Sequence, residues 1–581
     1  MGNPFVRSLV SRVVWFRLLQ EEFRGYSLAA LQKDLLAGVT VAAVALPLAL
    51  AFGIASGSTP AAGLVTAILS GIVIGGLSGA PFQISGPTGA MSAVLVLVAT
   101  QYGAQALLIV GALAGAIILL VGLLKLGRTV LLIPRPVITG FTSGIAVIIF
   151  VGQLGNLLGV QVKPVELPLL YALGVSEAST VLKLLGFLRL DYTPDWHTLA
   201  TAAIVVSFIF LLPKPISKRV PGSLLGIVVA TLVVIALGWQ EPVIGQIPNT
   251  ILLDERLTLS PDLLARASGL IAPALSVAAL GAVESLLCGA VGSKATGKRM
   301  DGDQELIAQG IGNLLLPFFG GVPATAAIAR TRVAINSGGQ TRLTSIFHGL
   351  VLLMCALFLG LLLARVPLSA LAGVLVATAI KMNEWDEIRW MFRHRFKGAI
   401  ALFFITMFAT ALFDLTQAII IGVGLSALLY IYNSSQVSVS RKPVDVAMLR
   451  ARGHEIDDSH PDILVAYITG PLFFAAVQAF RREFGDHQCC RVLILSMRGV
   501  PLIDVSGLEL IEELHEAQRA CGGELMLCAL QPAVRQMLDR SRLTEEIGEH
   551  NIFWAADAAI LEANRRLAAQ QGHQPAVQAV A

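Results

Sequence analysis

Apolar and polar positions alternate on a long scale in this chain. From about Leu31 to Tyr432 it runs through apolar stretches of roughly 17 to 25 residues, divided by short turns or charged loops. Stretches of that length predict a polytopic α-helical membrane protein. Their centres fall near residues 42, 69, 92, 114, 146, 205, 231, 280, 310, 332, 353, 373, 405 and 424, which predicts fourteen spans. Two of them, near 92 and 332, are too short to cross a bilayer as helices. Beyond about residue 440 charges become dense and apolar runs shrink to six or seven residues.

The short third segment, Gly89 to Thr100, opens on Ser85-Gly86-Pro87-Thr88 after the extended run Pro81-Phe82-Gln83-Ile84. A half-length helix at membrane depth has unpaired N–H groups at its start, and lipid cannot satisfy them. Those groups and the positive dipole end make an anion site. Gly86 and Gly89 let a ligand approach closely, and Thr88 adds a hydroxyl. The break recurs. Gly79-Ala80-Pro81 precedes the third segment and Gly321-Val322-Pro323 precedes the tenth, an offset of 242. Two seven-span halves must have opposite orientation, because seven is odd. The expectation is an inverted repeat in which Ser85–Gly89 faces Ala327, Ile328, Ala329 and Arg330, the best sequence pointer to a binding site.

Charge sidedness orients the chain. With the N-terminus inside, the inner loops hold Lys125, Arg128 and Arg135, then Lys214, Lys218 and Arg219, then Lys294, Lys298 and Arg299, then Arg389, Arg393, Arg395 and Lys397. The outer turns Ser56–Thr59 and Gln101–Ala104 carry none. Both termini are therefore expected in the cytoplasm of an inner (plasma) membrane protein. Val162 to Asp191 breaks the rule with Lys163, Lys183 and Arg189, and is expected to hold short helices along the membrane. The N-terminal arginines Arg7, Arg12, Arg17 and Arg24 interrupt any apolar core, so no removable signal peptide is expected.

Composition agrees: 55% of residues are hydrophobic and 14% charged, and the net charge of +4 says little about partners. Against that background Glu284 is the most unusual residue, a carboxylate deep within the apolar run Leu270–Val291. Intramembrane carboxylates are functional candidates by default. An apolar surround disfavours a carboxyl group's charged form, so such a group can load and release a proton. Its alternative role is a structural pair with Arg330. Arg330 reads as a fixed charge behind the anion pocket, and Arg332 as an anchor at a helix end. Phe52, beyond the Pro47 break in the first span, reads as core or as pocket wall. Asp414 reads as a helix-end group and His348 as packed. Six scattered cysteines show no metal-site spacing, and free thiols are expected. No nucleophile–base pair, metal cluster or phosphate-binding glycine loop points to an enzyme or to a cofactor. Nothing points to nucleic acid.

The C-terminal region predicts a small α/β domain. Strands are expected at Ile463–Ile468, Val492–Ser496 and Glu524–Leu530. Helices are expected at Phe473–Phe484, Leu508–Ala517 with Ser506 as N-cap, Ala533–Leu538 and Ala555–Leu567. The expected division is a cytoplasmic segment 1–30, a transport domain 31–436, the α/β domain 437–570 and a disordered tail 571–581. The domain boundary is placed near residue 440, at Ser434-Ser435-Gln436 to Arg441-Lys442-Pro443.

The chain resembles the sulfate permease (SulP) family of anion transporters. The resemblance rests on Leu46-Pro47-Leu48-Ala49-Leu50-Ala51-Phe52-Gly53, Ile84-Ser85-Gly86-Pro87-Thr88, Gly140-Phe141-Thr142-Ser143-Gly144, Gly281-Ala282-Val283-Glu284-Ser285-Leu286-Leu287-Cys288, Ala324-Thr325-Ala326-Ala327-Ile328-Ala329-Arg330 and Ser337-Gly338-Gly339. It covers about residues 30 to 565, and the C-terminal part resembles a STAS domain, a possible docking place for a cytoplasmic protein. The resemblance implies a uracil-permease-like fold with core and gate domains, an anion site between the third and tenth spans with Phe52 at its wall, and a homodimer. Sulfate, bicarbonate and C4-dicarboxylates are the implied substrates. Sodium-coupled bicarbonate members of cyanobacteria carry Asp and Thr where this chain has Glu284 and Cys288. A thiol is a poor sodium ligand. The Glu–Cys pair resembles the bacterial proton-linked dicarboxylate members, so proton symport is expected over sodium symport or exchange. Val505 stands where anti-sigma-factor antagonists carry their phosphorylated serine, which excludes that switch at this position.

Overall fold

The computed structural model describes residues 14–127, 134–160, 180–189, 193–213, 220–258, 267–413, 415–451, 462–484 and 490–571. Asp414, residues 572–581 of the expected tail and most of the Val162–Asp191 segment lie outside them. The chain forms two compact units, Met1–Gly424 and Leu425–Ala581.

In the first unit every expected span centre falls inside a helix. Among the described residues six helices are long and apolar enough to cross a membrane: Leu28–Ala55, Pro60–Leu77, Ala104–Leu123, Arg135–Leu158, Ile271–Thr296 and Leu343–Leu363. Shorter apolar helices include Gly89–Tyr102, Trp196–Leu211, Gly222–Leu237 and Lys397–Leu412. Local chemistry sets the ends. Ser27, Thr59, Thr88 and Asp301 cap helix starts with side-chain oxygens, while Gly159, Gly238 and Gly297 end helices in the left-handed region. Three helices were not expected or only loosely so: Val14–Glu22, Thr180–Arg189 and Trp385–Arg393.

The helices group by their packing. Leu28–Ala55, Pro60–Leu77, Gly89–Tyr102, Ala104–Leu123, Ile271–Thr296, Gly302–Leu315, Ile328–Asn336 and Leu343–Leu363 form one bundle. Arg135–Leu158, Trp196–Leu211, Gly222–Leu237, Leu368–Met382 and Lys397–Leu412 form a second against it. Close approach inside the first bundle depends on small residues. A Cβ at Gly115 would stand 2.4 Å from the backbone nitrogen of Leu314, and one at Gly310 would stand 2.5 Å from that of Leu119. Helices in lipid pack through such backbone contacts.

The expected extended run is displaced by a few residues. The strand is β1, Ser85–Gly86, and it pairs antiparallel with β2, Thr325–Ala326. Ser85 stands opposite Ala326 and Gly86 opposite Thr325. Each strand leads into a short helix, Gly89–Tyr102 or Ile328–Asn336. Because the strands are antiparallel, the helices leave in opposite directions with both N-termini beside the pair.

Buried side chains hold this pair in place. Ser70, in a π-helical turn of the second span, donates to Ser85 O at 3.1 Å. Thr331 accepts from Ile84 N at 3.1 Å, and Asn313 accepts from Ala324 N at 2.7 Å. Behind β1 stands Glu305, fully buried. Its carboxylate accepts from Gly79 N at 3.1 Å, Gln83 Nε2 at 2.8 Å, Gln309 Nε2 at 2.9 Å and the Ser78 hydroxyl. Gln309 Nε2 also donates to Ser85 Oγ at 2.8 Å. A buried carboxyl group without a cation is tolerated when its lone pairs are filled in this way.

The second unit is an α/β domain with one five-stranded sheet in the order β3-β4-β5-β6-β7. These are Ser438–Pro443, Ile463–Thr469, Val492–Gly499, Glu524–Cys528 and Ile552–Phe553. All neighbours are parallel except β3 and β4. Strand alternation divides the core in two. Leu493 and Leu495 pack with Leu508, Ile511 and Val534 on one face, Val492 and Ile494 with Ala559, Ile560 and Ala563 on the other.

Three expectations are corrected here. The boundary expected near residue 440 falls inside β3, in which Val439 is buried while Ser438, Ser440 and Lys442 are exposed. The helix begins at Val505 rather than Leu508, and Asp504 rather than Ser506 caps it, accepting from Gly507 N at 3.0 Å. Asp504 also accepts from Phe474 N at 3.0 Å, so it ties two loops together. Free thiols hold for Cys288, Cys355, Cys490 and Cys528, whereas Cys521 is disulfide-bonded, a pairing that depends on spatial approach rather than spacing. Asp504→Ala removes the cap and the loop tie together. A loss of about 2 kcal/mol in the stability of this unit is expected, read by denaturant unfolding of the full chain.

Candidate functional site

The two half-helices begin differently. Thr88 is extended, and its Oγ1 accepts from Met91 N at 3.3 Å, so the first half-helix spends one donor on its own cap. Ala327 has no side chain to offer, and its own N–H donates to Ile84 O at 2.9 Å. The N–H groups of Ile328, Ala329 and Arg330 thus start a helix without a side-chain cap. Gly89 and Ala90 are buried, while Ile328 is partly exposed and Ala329 is exposed. The second half-helix presents the more open face.

Arg330 is the largest of the fully enclosed side chains, 2% exposed. Its Nη2 donates to Pro87 O at 2.8 Å, across the strand pair. Its Nη1 is buried without a hydrogen-bond partner. A Cβ at Gly86 would stand 2.4 Å from that same Nη1, so glycine alone admits the guanidinium here. Arg332, two residues on, is exposed, as the anchoring role requires.

Glu284 lies in the Ile271–Thr296 helix, half-buried. Its Oε2 accepts from Thr88 Oγ1 at 3.2 Å. The expected alternative, an ion pair with Arg330, is absent: no such pair lies within bonding distance among the described residues. Thr88 binds the Glu284 carboxyl group and Pro87 O holds the guanidinium, so the two side chains end on different partners of the same turn. One turn further, Cys288 Sγ donates to Thr331 Oγ1 at 3.3 Å and faces the packing between helices.

The remaining candidates divide. Phe52 is buried, and its Cε1 would lie 3.3 Å from a Cβ at Gly89, so its ring flanks the first half-helix start. Ile149, of the Arg135–Leu158 helix, stands closer still at 2.6 Å. The sequence analysis missed it, because nothing separates it from other apolar residues of that span. Ser85 turns its hydroxyl to Gln309 behind the strand, and alternation puts Gly86 on the opposite face. Ser85 therefore contributes backbone only. His348 is fully buried and packs against Gly71. Among the described residues no group of three or more His, Cys, Asp or Glu could hold a metal ion.

Broken helices whose starts meet beside a buried cation are the construction of a membrane transporter, in which irregular backbone lines a substrate cavity. The chain belongs to the sulfate permease family, whose model matches residues 31–426, and a STAS domain model matches residues 457–559. It is an anion transporter of that family with a C-terminal STAS domain. It is 33% identical over 547 residues to "Putative sulfate transporter YvdB" of Bacillus subtilis, covering 91% of this chain and 97% of that protein. It is 28% identical over 549 residues to the bicarbonate transporter BicA of a Picosynechococcus strain, covering 91% and 94%. The solved transmembrane domain of a cyanobacterial BicA matches with a TM-score of 0.59 at 31% identity, covering 68% of this chain and 98% of that one. The murine anion transporter Slc26a9, solved inward-facing, matches with a TM-score of 0.81 at 17% identity, covering 97% and 95%, and so shares the fold.

Proposed function

We propose that the protein carries a small oxyanion or a C4-dicarboxylate across the inner membrane by proton symport, with the anion at the half-helix starts. The observation that carries this reading is Arg330. A buried guanidinium nitrogen without a partner costs free energy unless something fills it. The surrounding donors are the N–H groups of Ile328 and Ala329, with those of Gly89 and Ala90 across the strand pair. Every one of these groups favours negative charge. Phe52 and Ile149 supply the apolar wall that excludes water.

Glu284 is the proton carrier in this reading. Among the described residues it is the carboxylate that touches the site, through Thr88, and its half-burial keeps it within reach of solvent. The first bundle would move against the second as a body, an elevator-like step that carries anion and proton together. Residues 31–436 form the transport domain and 437–570 the STAS domain, with both termini cytoplasmic and the protein a homodimer. Sodium coupling has less support, since Cys288 offers sulfur where oxygen is needed and is committed to Thr331. Bicarbonate stays on the substrate list because BicA is among the relatives.

The test is uptake into proteoliposomes under an imposed pH gradient, with labelled sulfate, bicarbonate, succinate and chloride in parallel. Inward-acid gradients should slow uptake, and outward-acid gradients should drive it above equilibrium. Glu284→Gln is expected to retain anion binding and to lose gradient-driven accumulation. Full accumulation by that variant would end the proton role.

A further inference from the structure

We infer that Thr88 is the residue through which protonation of Glu284 sets anion affinity. This rests on the proton-symport reading above. A threonine hydroxyl has one hydrogen and two lone pairs. Thr88 Oγ1 spends one lone pair on Met91 N at 3.3 Å. Its contact with Glu284 Oε2 measures 3.2 Å. A carboxylate can only accept, so while Glu284 is ionised the one hydrogen of Thr88 belongs to it. An anion at the half-helix start then receives nothing from this side chain. It also meets the carboxylate's negative charge beside it.

A proton from solvent on Glu284 Oε2 reverses the contact. The new O–H of Glu284 donates to the second lone pair of Thr88 Oγ1. The hydrogen of Thr88 is released and rotates about its C–O bond toward the anion. The cap to Met91 N is kept throughout, so the half-helix is not disturbed. One protonation thus removes a repulsive charge, adds a hydrogen bond and leaves Arg330 unopposed.

The neighbourhood supports a local exchange of this kind. Arg330, from the Ile328–Asn336 helix, is bound to Pro87 O, not to Glu284. Cys288 lies one turn along the helix of Glu284 and is bound to Thr331. Glu305, from the Gly302–Leu315 helix, has its oxygens filled by Ser78, Gly79, Gln83 and Gln309. The Ala104–Leu123 helix brings no titratable group, and Gly89–Tyr102 brings only Tyr102 at its far, exposed end. Thr88 is the side chain recorded between the carboxylate and the half-helix start.

The experiment is the dissociation constant for labelled sulfate, whose charge is constant across the range, from alkaline to mildly acidic pH. The full-length protein is compared with Thr88→Val, Thr88→Ser and Glu284→Gln. The wild type should bind more tightly as pH falls, since proton and anion affinities are reciprocally linked. Thr88→Val should lose about tenfold in affinity at acidic pH and much of the pH slope, and Thr88→Ser should restore both. Glu284→Gln should bind independently of pH. A Thr88→Val variant with the full wild-type slope would overturn the role of Thr88 and leave proton symport standing. A flat wild-type profile would overturn proton symport itself, and this inference with it.

Discussion

Arg330→Gln is expected to weaken anion binding by one to two orders of magnitude, since charge-assisted hydrogen bonds contribute about 1.5–3 kcal/mol each. The variant loses the fixed positive charge, the bond to Pro87 O and the unpartnered Nη1. Arg330→Lys separates charge from geometry. A lysine ammonium keeps the charge but cannot reach Pro87 O and the pocket from one planar fork. It should fall between wild type and glutamine. Equilibrium binding of labelled anion to purified protein measures both, with a thermal melt alongside. Melting temperatures should move little, because the lost contact with Pro87 O is a single hydrogen bond. Wild-type affinity in both variants would remove the site from this place in the fold.

Glu305→Ala should be the most damaging substitution for stability. It strands the Ser78 hydroxyl, Gly79 N–H and the amides of Gln83 and Gln309 in a fully buried site. Each buried donor left without a partner costs about 1–3 kcal/mol. The damage should also reach the anion site, because Gln309 links Glu305 to Ser85. Glu305→Gln keeps the shape and two lone pairs, at the price of one opposed N–H pair, and should lose roughly half as much. Thermal unfolding in detergent with and without anion separates the two effects. If Glu305→Ala melts like the wild type, the cage around β1 is not what holds it.

Much of the site was legible because lipid makes polar residues conspicuous. Glu284 and Arg330 stand out of apolar runs, and the shared Gly-x-Pro break marks both short helices. Physical reasons hid the rest. A two-residue strand has too little length to carry an alternating pattern, so β1 and its pairing with β2 left no trace. Glu305 sits near a helix start beside Asp301 and Asp303, where acidic residues are ordinary, and its burial depends on Ser78 and Gln83 from far along the chain. The contact between Thr88 and Glu284 spans 196 residues and has no local signal. Strand β3 reads as a domain boundary because its exposed positions are serine and lysine. Ser506 looked like a cap because the helix was started at its first leucine, when the cap is set by Asp504 two residues earlier.

The β1–β2 pair has a kinetic consequence. Its backbone hydrogen bonds sew both half-helices into one piece, so the two sides of the proposed anion cradle cannot part from each other. In the proposed function, an anion held there has no exit between the strands and is delivered by displacement of the whole piece. Each displacement then handles a fixed load. Flux should saturate with anion concentration and remain far below diffusion-limited conduction, and single-opening current steps should not appear in bilayer recordings.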